Sequence, residues 1–187
     1  MRIFSDVIRK AYSIHKKNRE NPTMRKRFVL QPELGTTAIE EIIIPTKSRD
    51  ELPPVLMALQ YIFVTEELSE QVFALLEQRI ELKKMGRSGL SLWEILVLGV
   101  VRLTLDANYD RLEHIANYDS LVRELLGVND EFGKEKKQYS LTSLKENIRY
   151  IDEFFLIKIN ALIVKAGHSL LKKKMGSKLG KNKSKSK

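Results

Sequence analysis

The residues best suited to chemistry lie in two short predicted helices, one over 109–116 and one that follows Asn117-Tyr118-Asp119 and ends at Gly127. A helix-turn-helix joins two such helices by a tight turn, and the N-terminal residues of its second helix enter the major groove of DNA. We therefore predict that this pair contacts DNA. The residues expected to face bases or phosphates are Arg111, His114, Asn117, Tyr118, Ser120, Arg123 and Glu124.

A purely structural role for the pair is the alternative. Helix-turn-helix geometry is common in all-helical cores, and the second helix carries one basic residue, Arg123, against Asp119 and Glu124.

The pair must be held by the helix that precedes it. Ser91 and Glu94 have the spacing of a capping box, in which each side chain bonds to the backbone amide of the other. From Leu92 to Leu105 apolar residues cover most of the helix circumference. The sequence thus predicts a central, buried helix over 91–105, with the other elements packed around it.

Further helices are predicted on both sides of this element. Two helices are predicted to form an antiparallel pair. The first begins near Pro53, and the second begins after Thr65, a residue type suited to the N-cap. Ser140 and Asp152 are predicted to cap two later helices. The apolar stripe of the last helix consists of Phe155, Ile159, Leu162, Ile163, Ala166 and Leu170. The predicted fold is all-α, a multi-helix bundle with a helix-turn-helix-like pair.

Composition divides the chain into three parts. Residues 1–49 are predicted to form a basic amphipathic helix over 5–20 and then an extended arm over 28–49, with a short strand at 42–44 as the alternative. Residues 50–171 are predicted to form the helical domain. Residues 172–187 are low in complexity and cannot bury themselves, so we predict a disordered Lys-rich tail.

Charge is concentrated at the two ends of the sequence. Residues 1–27 carry nine basic and two acidic residues, a net charge of +7, and residues 172–187 carry eight lysines, a net charge of +8. The intervening residues have 16 basic and 22 acidic side chains, a net charge of −6. Basic ends favour contact with a polyanion through the release of counterions, and Lys172, Lys173 and Lys174 are candidate DNA contacts. For the tail alone, a solubilising role explains the charge equally well.

Several classes of function are disfavoured by composition. The absence of cysteine excludes disulfides and thiolate metal sites. None of the three histidines has a second ligand at i+3 or i+4, so neither a metal nor another cofactor is predicted. The longest apolar run, 95–101, is far shorter than the roughly 20 residues that cross a bilayer. We expect a cytoplasmic location and no contact with a membrane.

The region from Asp50 to Lys174 resembles the helical N-terminal domain of bacterial insertion-sequence transposases that carry a DDE catalytic core, of the subgroup called ISNCY. The resemblance is strongest over 92–103, with Leu-Trp-Glu-Ile-Leu-Val-Leu-Gly-Val-Val-Arg-Leu, and continues through 109–113, 115–117, 125–128 and 139–148. It implies recognition of the terminal inverted repeats of the element in double-stranded DNA, or assembly of the transposase on them.

The three catalytic acids of such transposases have no counterpart in this sequence. These acids hold the two metal ions that activate the attacking oxygen and stabilise the leaving one. We therefore expect no catalysis by this chain, which would be a truncated or split fragment. The alternatives are a helical module that dimerises with an intact transposase and inhibits it, or a homo-oligomer, or a protein that binds RNA nonspecifically through its basic ends.

Overall fold

The computed structural model describes residues 26–28, 37–45, 47, 49–80, 89–128 and 137–165. Predictions for the helix over 5–20 and for the Lys-rich tail lie outside these residues. Every regular element in the described ranges is helical, which confirms the all-α fold. The elements are a 3-10 turn (Ile39–Glu41) and helices α1 (Leu52–Val64), α2 (Glu66–Arg79), α3 (Leu92–Thr104), α4 (Tyr109–Tyr118), α5 (Ser120–Leu125), α6 (Leu141–Ile148) and α7 (153–165).

Helix α3 is the central element, as predicted. Its residues from Leu92 to Gly99 are all buried, and α1, α2, α4 and α6 all contact it. The predicted capping box is formed: Ser91 Oγ accepts from the Glu94 amide at 3.3 Å, and Glu94 Oε2 accepts from the Ser91 amide at 2.8 Å. A helix buried on nearly all sides needs this end bonded internally, because water does not reach it.

An aromatic cluster joins α1, α2 and α3 to the segment 26–28. The ring of Phe28 lies 4.9 Å from those of Phe63 and Phe73 and 5.6 Å from that of Trp93. The first amides of α3 are bonded to the same segment, since Leu92 N and Trp93 N donate to the carbonyls of residues 26 and 27 at 3.1 and 3.0 Å. These contacts fix the start of the central helix.

Arg27 forms ion pairs with helix α2. Its guanidinium donates to Glu77 at 2.7 and 3.0 Å and to both carboxylate oxygens of Glu70 at 2.8 Å. The bond to Glu77 raises the pKa of Arg27, and burial opposes that rise. Of the two basic residues of the N-terminal segment that the structure describes, Lys26 and Arg27, the second is therefore paired within the protein.

The described part of the N-terminal arm, 37–45, packs against α1 as an irregular segment with one 3-10 turn. Ile39, Ile42 and Ile44 are buried, and Ile43 is exposed. Gln60 Nε2 donates to the carbonyls of Ile39 and Ile42 at 2.7 and 3.0 Å, which takes the place of a strand partner. The extended arm is the correct alternative here, and the strand at 42–44 is not formed.

Gly99 permits a close approach between α3 and the turn before α7. A Cβ placed on Gly99 would lie 2.6 Å from Ile151 Cβ and 2.9 Å from its Cγ2. Because these are atoms near the backbone of a buried residue, no side-chain rotation would relieve the overlap. The glycine thus sets the distance at which α7 begins beside the central helix.

Candidate functional site

Helices α4 and α5 form the compact pair predicted from the sequence, with Asp119 as their only linking residue. Asn108 caps α4 by accepting from the Arg111 amide at 2.8 Å, and Asp119 caps α5 by accepting from the Val122 amide at 2.9 Å. Gly127, with φ at +71°, follows α5 in the left-handed conformation that favours glycine. The first helix extends to Tyr118, two residues beyond its predicted end.

Five of the predicted DNA-facing residues are exposed, among them Glu124 on α5. Arg111, His114 and Tyr118 are spaced at i, i+3 and i+7, and so share one face of α4. The rings of His114 and Tyr118 lie 5.0 Å apart, and Tyr118 is 69% exposed. Ser120, at the start of α5, is also exposed. The structure therefore presents a cation and two adjacent rings on the first helix of the pair.

Asn117 and Arg123 lie in the interior, and we withdraw them from the predicted DNA-facing set. Arg123 is 3% exposed and donates to the carbonyl of Ala116 at 3.2 Å and to that of Lys137 at 3.3 and 3.4 Å. Asn117 is 8% exposed and pairs with the backbone of Tyr139, donating at 2.9 Å and accepting at 2.8 Å. The hydrogen bonds of these two side chains join α4 and α5 to the segment 137–140 in the interior.

Glu94 occupies the centre of a buried polar network that ties the same segment to α3. Its Oε2 accepts from the amide and the hydroxyl of Ser91, both at 2.8 Å. Its Oε1 accepts from the Tyr139 hydroxyl at 2.8 Å and from Lys137 Nζ in an ion pair. Four donors thus converge on one carboxylate that is 3% exposed. A buried charge needs such partners, since burial without them is very costly.

The network changes the proton affinity of its members. Burial alone would raise the pKa of Glu94, but the bond and charge of Lys137, with the bonds from Ser91 and Tyr139, hold that pKa below its ordinary value of 4.5. Burial and the adjacent carboxylate raise the pKa of Tyr139. Glu94 is therefore a carboxylate and Tyr139 a neutral donor at neutral pH. Because both oxygens of Glu94 are occupied, the arrangement serves to fix the segment 137–140 beside the helix pair.

The sequence predicts a capping role for Glu94 and a polar loop around Lys137. It does not predict the other contacts of this network. The available signal was the position of Glu94 inside an otherwise apolar helix, since an acid there demands a partner from another element. The identity of that partner depends on tertiary contact and has no local signature.

The other residues singled out in the sequence have separate positions. Glu113 accepts from the Leu141 amide at 2.8 Å, so it serves as an anchor for α6. Lys172, Lys173 and Lys174 lie outside the described residues. No group of three potential metal-ligating side chains occurs in the part of the chain that the structure describes. Within the same ranges, no helix has both the length and the apolar character needed to cross a membrane.

An open cleft lies between the end of α3 and the start of α7. Its lining combines Arg102 and Arg149 with Asp152 and Glu153, so its charge is mixed. The Arg102 guanidinium stands 4.4 Å from the ring centre of Tyr109, a favourable cation–π distance. The cleft lacks the uniform charge that a nucleic-acid groove would have.

Comparison of the chain with protein-family models, with curated proteins and with solved structures found no match.

Proposed function

We propose that this chain is the DNA-binding and assembly module of an insertion-sequence transposase, with double-stranded DNA at the element's terminal inverted repeats as its partner. The observation that carries the proposal is the separation of charge: +7 in residues 1–27 and +8 in residues 172–187, against −6 between them. The proposal also rests on the resemblance of residues 50–174 to such modules. It assigns no catalytic step to the residues of this chain.

Two parts of the chain would share the work of binding. The basic ends supply most of the affinity by neutralising phosphates, a contribution that does not depend on sequence. The exposed face of α4 supplies orientation, with Arg111 suited to a phosphate and with His114 and Tyr118 suited to the sugar or base edges. Asp110 and Glu124 are exposed on the same pair of helices, and their negative charges oppose contact with phosphates. This surface therefore binds DNA weakly without the basic ends.

The first test measures affinity against salt concentration. Fluorescence anisotropy would follow the full chain on a labelled duplex of random sequence, on single-stranded RNA of equal length, and on duplexes selected from a randomised pool. We expect selected duplexes to bind most tightly, and the logarithm of the affinity to fall linearly with the logarithm of salt, with a slope of about 0.9 per phosphate contacted. A flat salt response, or equal affinity for RNA and duplex DNA, would overturn the proposal.

Matched variants separate affinity from selection. Replacing Lys172, Lys173 and Lys174 with glutamine should weaken all duplexes equally and reduce the salt slope by about 1 for each phosphate that is no longer neutralised. Tyr118→Ala should leave that slope unchanged and reduce the preference for the selected sequence. If Tyr118→Ala weakens random and selected duplexes by the same factor, the α4 face does not read DNA.

A second candidate function is that of a helical interaction module that dimerises with an intact transposase and inhibits it. The observation that favours it is an exposed apolar face on α7, which includes Phe154 and Ile157 at 60% and 65% exposure. Co-purification of a tagged intact transposase with this chain in the absence of DNA would support this function. Inhibition that is abolished by excess DNA would instead indicate competition for the binding site.

A further inference from the structure

Helix α7 carries apolar side chains on two opposite faces. One face consists of Phe155 and Ile159, which are buried against the body at 2% and 3% exposure. The other face is open to solvent and consists of Phe154, Ile157, Ala161 and Val164, which we call the outer stripe; its three large members are 60%, 65% and 48% exposed. Half of the six exposed large hydrophobic residues in the described ranges lie on this stripe.

The spacing of the outer stripe is that of a helix-pairing seam. Its members follow one another at intervals of three, four and three residues, which is the pattern of positions a, d, a and d in a heptad. Because the body covers the opposite side of α7, a second helix could lie along the stripe without contact between the two bodies. The helix is already held in place, so pairing does not incur the entropy of forming it.

The charges beside the stripe specify the partner and its direction. Glu153 lies at position g on one edge, and Lys158 lies at position e on the other, five residues later. In a parallel pair of identical helices, g of each chain meets the following e of its partner, so Glu153 meets Lys158 twice. In an antiparallel pair the edge with Lys158 and Lys165 would meet its own copy, and like charges would oppose each other.

We propose that the outer stripe pairs with the same stripe of a second copy of this chain in a parallel, two-fold arrangement. Lys158 lies with its Nζ 4.6 Å from the ring centre of Phe154, a position from which it reaches the seam edge. The paired segment is about 20 Å long, so we expect reversible association and not an obligate dimer. Parallel pairing brings residue 165 of both chains to the same end, from which each sequence continues towards its Lys-rich segment.

This inference deepens the assembly part of the proposed function, on which it rests, and it is tested without DNA so that either can fail alone. Sedimentation velocity of the full chain over a concentration series, in nuclease-treated and DNA-free samples, should show a monomer–dimer equilibrium. Ile157→Lys should abolish the dimer, because it places a charge in the seam. The matched control is Thr142→Lys, which adds the same charge at an exposed position of α6 and should leave the dimer unchanged.

Charge exchange tests the direction of pairing. Glu153→Lys and Lys158→Glu should each weaken the dimer by about fivefold or more, since each variant places like charges at both edges of the seam. An equimolar mixture of the two variants should restore dimerisation, because the lysine introduced in one chain then meets the glutamate introduced in the other. The double variant should restore it as well. Circular dichroism of each variant checks that its helices are retained.

Three results would overturn the inference. The first is a wild-type chain that remains monomeric up to its solubility limit. The second is a dimer that Ile157→Lys does not affect, which would place the interface elsewhere. The third is a monomer that unfolds at a much lower temperature after Ile157→Lys, which would show that a segment of the same chain covers the stripe. None of these results would alter the salt dependence measured for DNA binding.

Discussion

Helices α5 and α7 use polar and apolar side chains in opposite ways. Helix α5 is six residues long and buries the guanidinium of Arg123 at 3% exposure. Helix α7 places Ile157 in solvent at 65% exposure, two positions from the buried Ile159. At α5, backbone carbonyls in the interior need hydrogen-bond donors, and a buried arginine supplies them. Helix α7, in contrast, has more apolar surface than the rest of the protein covers.

The interior position of Arg123 follows from the backbone around it. The carbonyls of Ala116 and Lys137 both point into the region behind the helix pair, and Arg123 donates to both. An arginine presents several donors in a fixed planar fork, so it satisfies two carbonyls with one side chain. The cost of burying its charge is offset by these bonds and by the nearby Glu94 network.

Arg123→Ala should produce the largest loss of stability among the variants of these two helices that remove a polar group. It removes the side chain that donates to the carbonyls of Ala116 and Lys137 and opens a cavity, so we expect the free energy of unfolding to fall by about 3 kcal/mol. Chemical denaturation followed by circular dichroism measures this. Arg111→Ala is the matched control on the exposed face of α4 and should change stability by about 0.5 kcal/mol or less. Equal effects of the two substitutions would contradict the buried assignment of Arg123.

Gly99→Ala tests the attachment of α7 to the central helix. The added methyl group overlaps Ile151 beside the start of α7, so we expect a loss of about 2 kcal/mol. Gly127→Ala, after α5, meets no atom within 4 Å but retains a φ of +71°, and should cost only about 1 kcal/mol. Thermal unfolding of both variants measures the two losses. A smaller loss for Gly99→Ala than for Gly127→Ala would show that the contact with Ile151 relaxes easily.

Glu94→Gln should reduce stability by about 1 to 2 kcal/mol at neutral pH, because an amide cannot accept from all four donors. The folded pKa of Glu94 is lowered, so its carboxylate contributes stability above pH 4.5 that is lost as pH falls below that value. The gap between wild type and Glu94→Gln should therefore narrow on acidification. The exposed Glu124→Gln is the control, and its stability should follow the wild-type curve. Parallel curves for Glu94→Gln would show that the network does not stabilise the charge.

The sequence predicted the helices well because their signals are local. The predicted capping residues Ser91, Ser140 and Asp152 each accept a hydrogen bond from a backbone amide in the first turn that follows, and the apolar residues around α3 correctly indicated its central position. Thr65 takes the N-cap position of α2 without a side-chain bond. These features depend on residues no more than four positions apart in the sequence, so residue type and apolar periodicity are enough to predict them.

The orientation of the candidate site could not be predicted in the same way. Arginine is usually found at the surface, which is why Arg123 is expected there from its type alone. Its interior position depends on the carbonyl of residue 137, which lies 14 residues away in the sequence. For α7, the predicted stripe contains the buried Phe155 and Ile159, whereas the exposed stripe on the opposite face is not part of the prediction. A local pattern predicts which residues share a face of a helix, whereas the tertiary contacts determine whether that face is buried and against which element.

Ile157→Ala should produce the smallest effect and distinguishes the two faces of α7 most directly. Because its side chain is 65% exposed, its truncation in a dilute monomer should change the free energy of unfolding by about 0.5 kcal/mol or less. Ile159→Ala, two positions later on the buried face, should cost about 2 to 5 kcal/mol by the same measurement. A substantial loss from Ile157→Ala that grows with protein concentration would locate its partner on a second copy. A loss that is independent of concentration would locate the partner within the same chain, and α7 would then bury both of its apolar faces within one molecule.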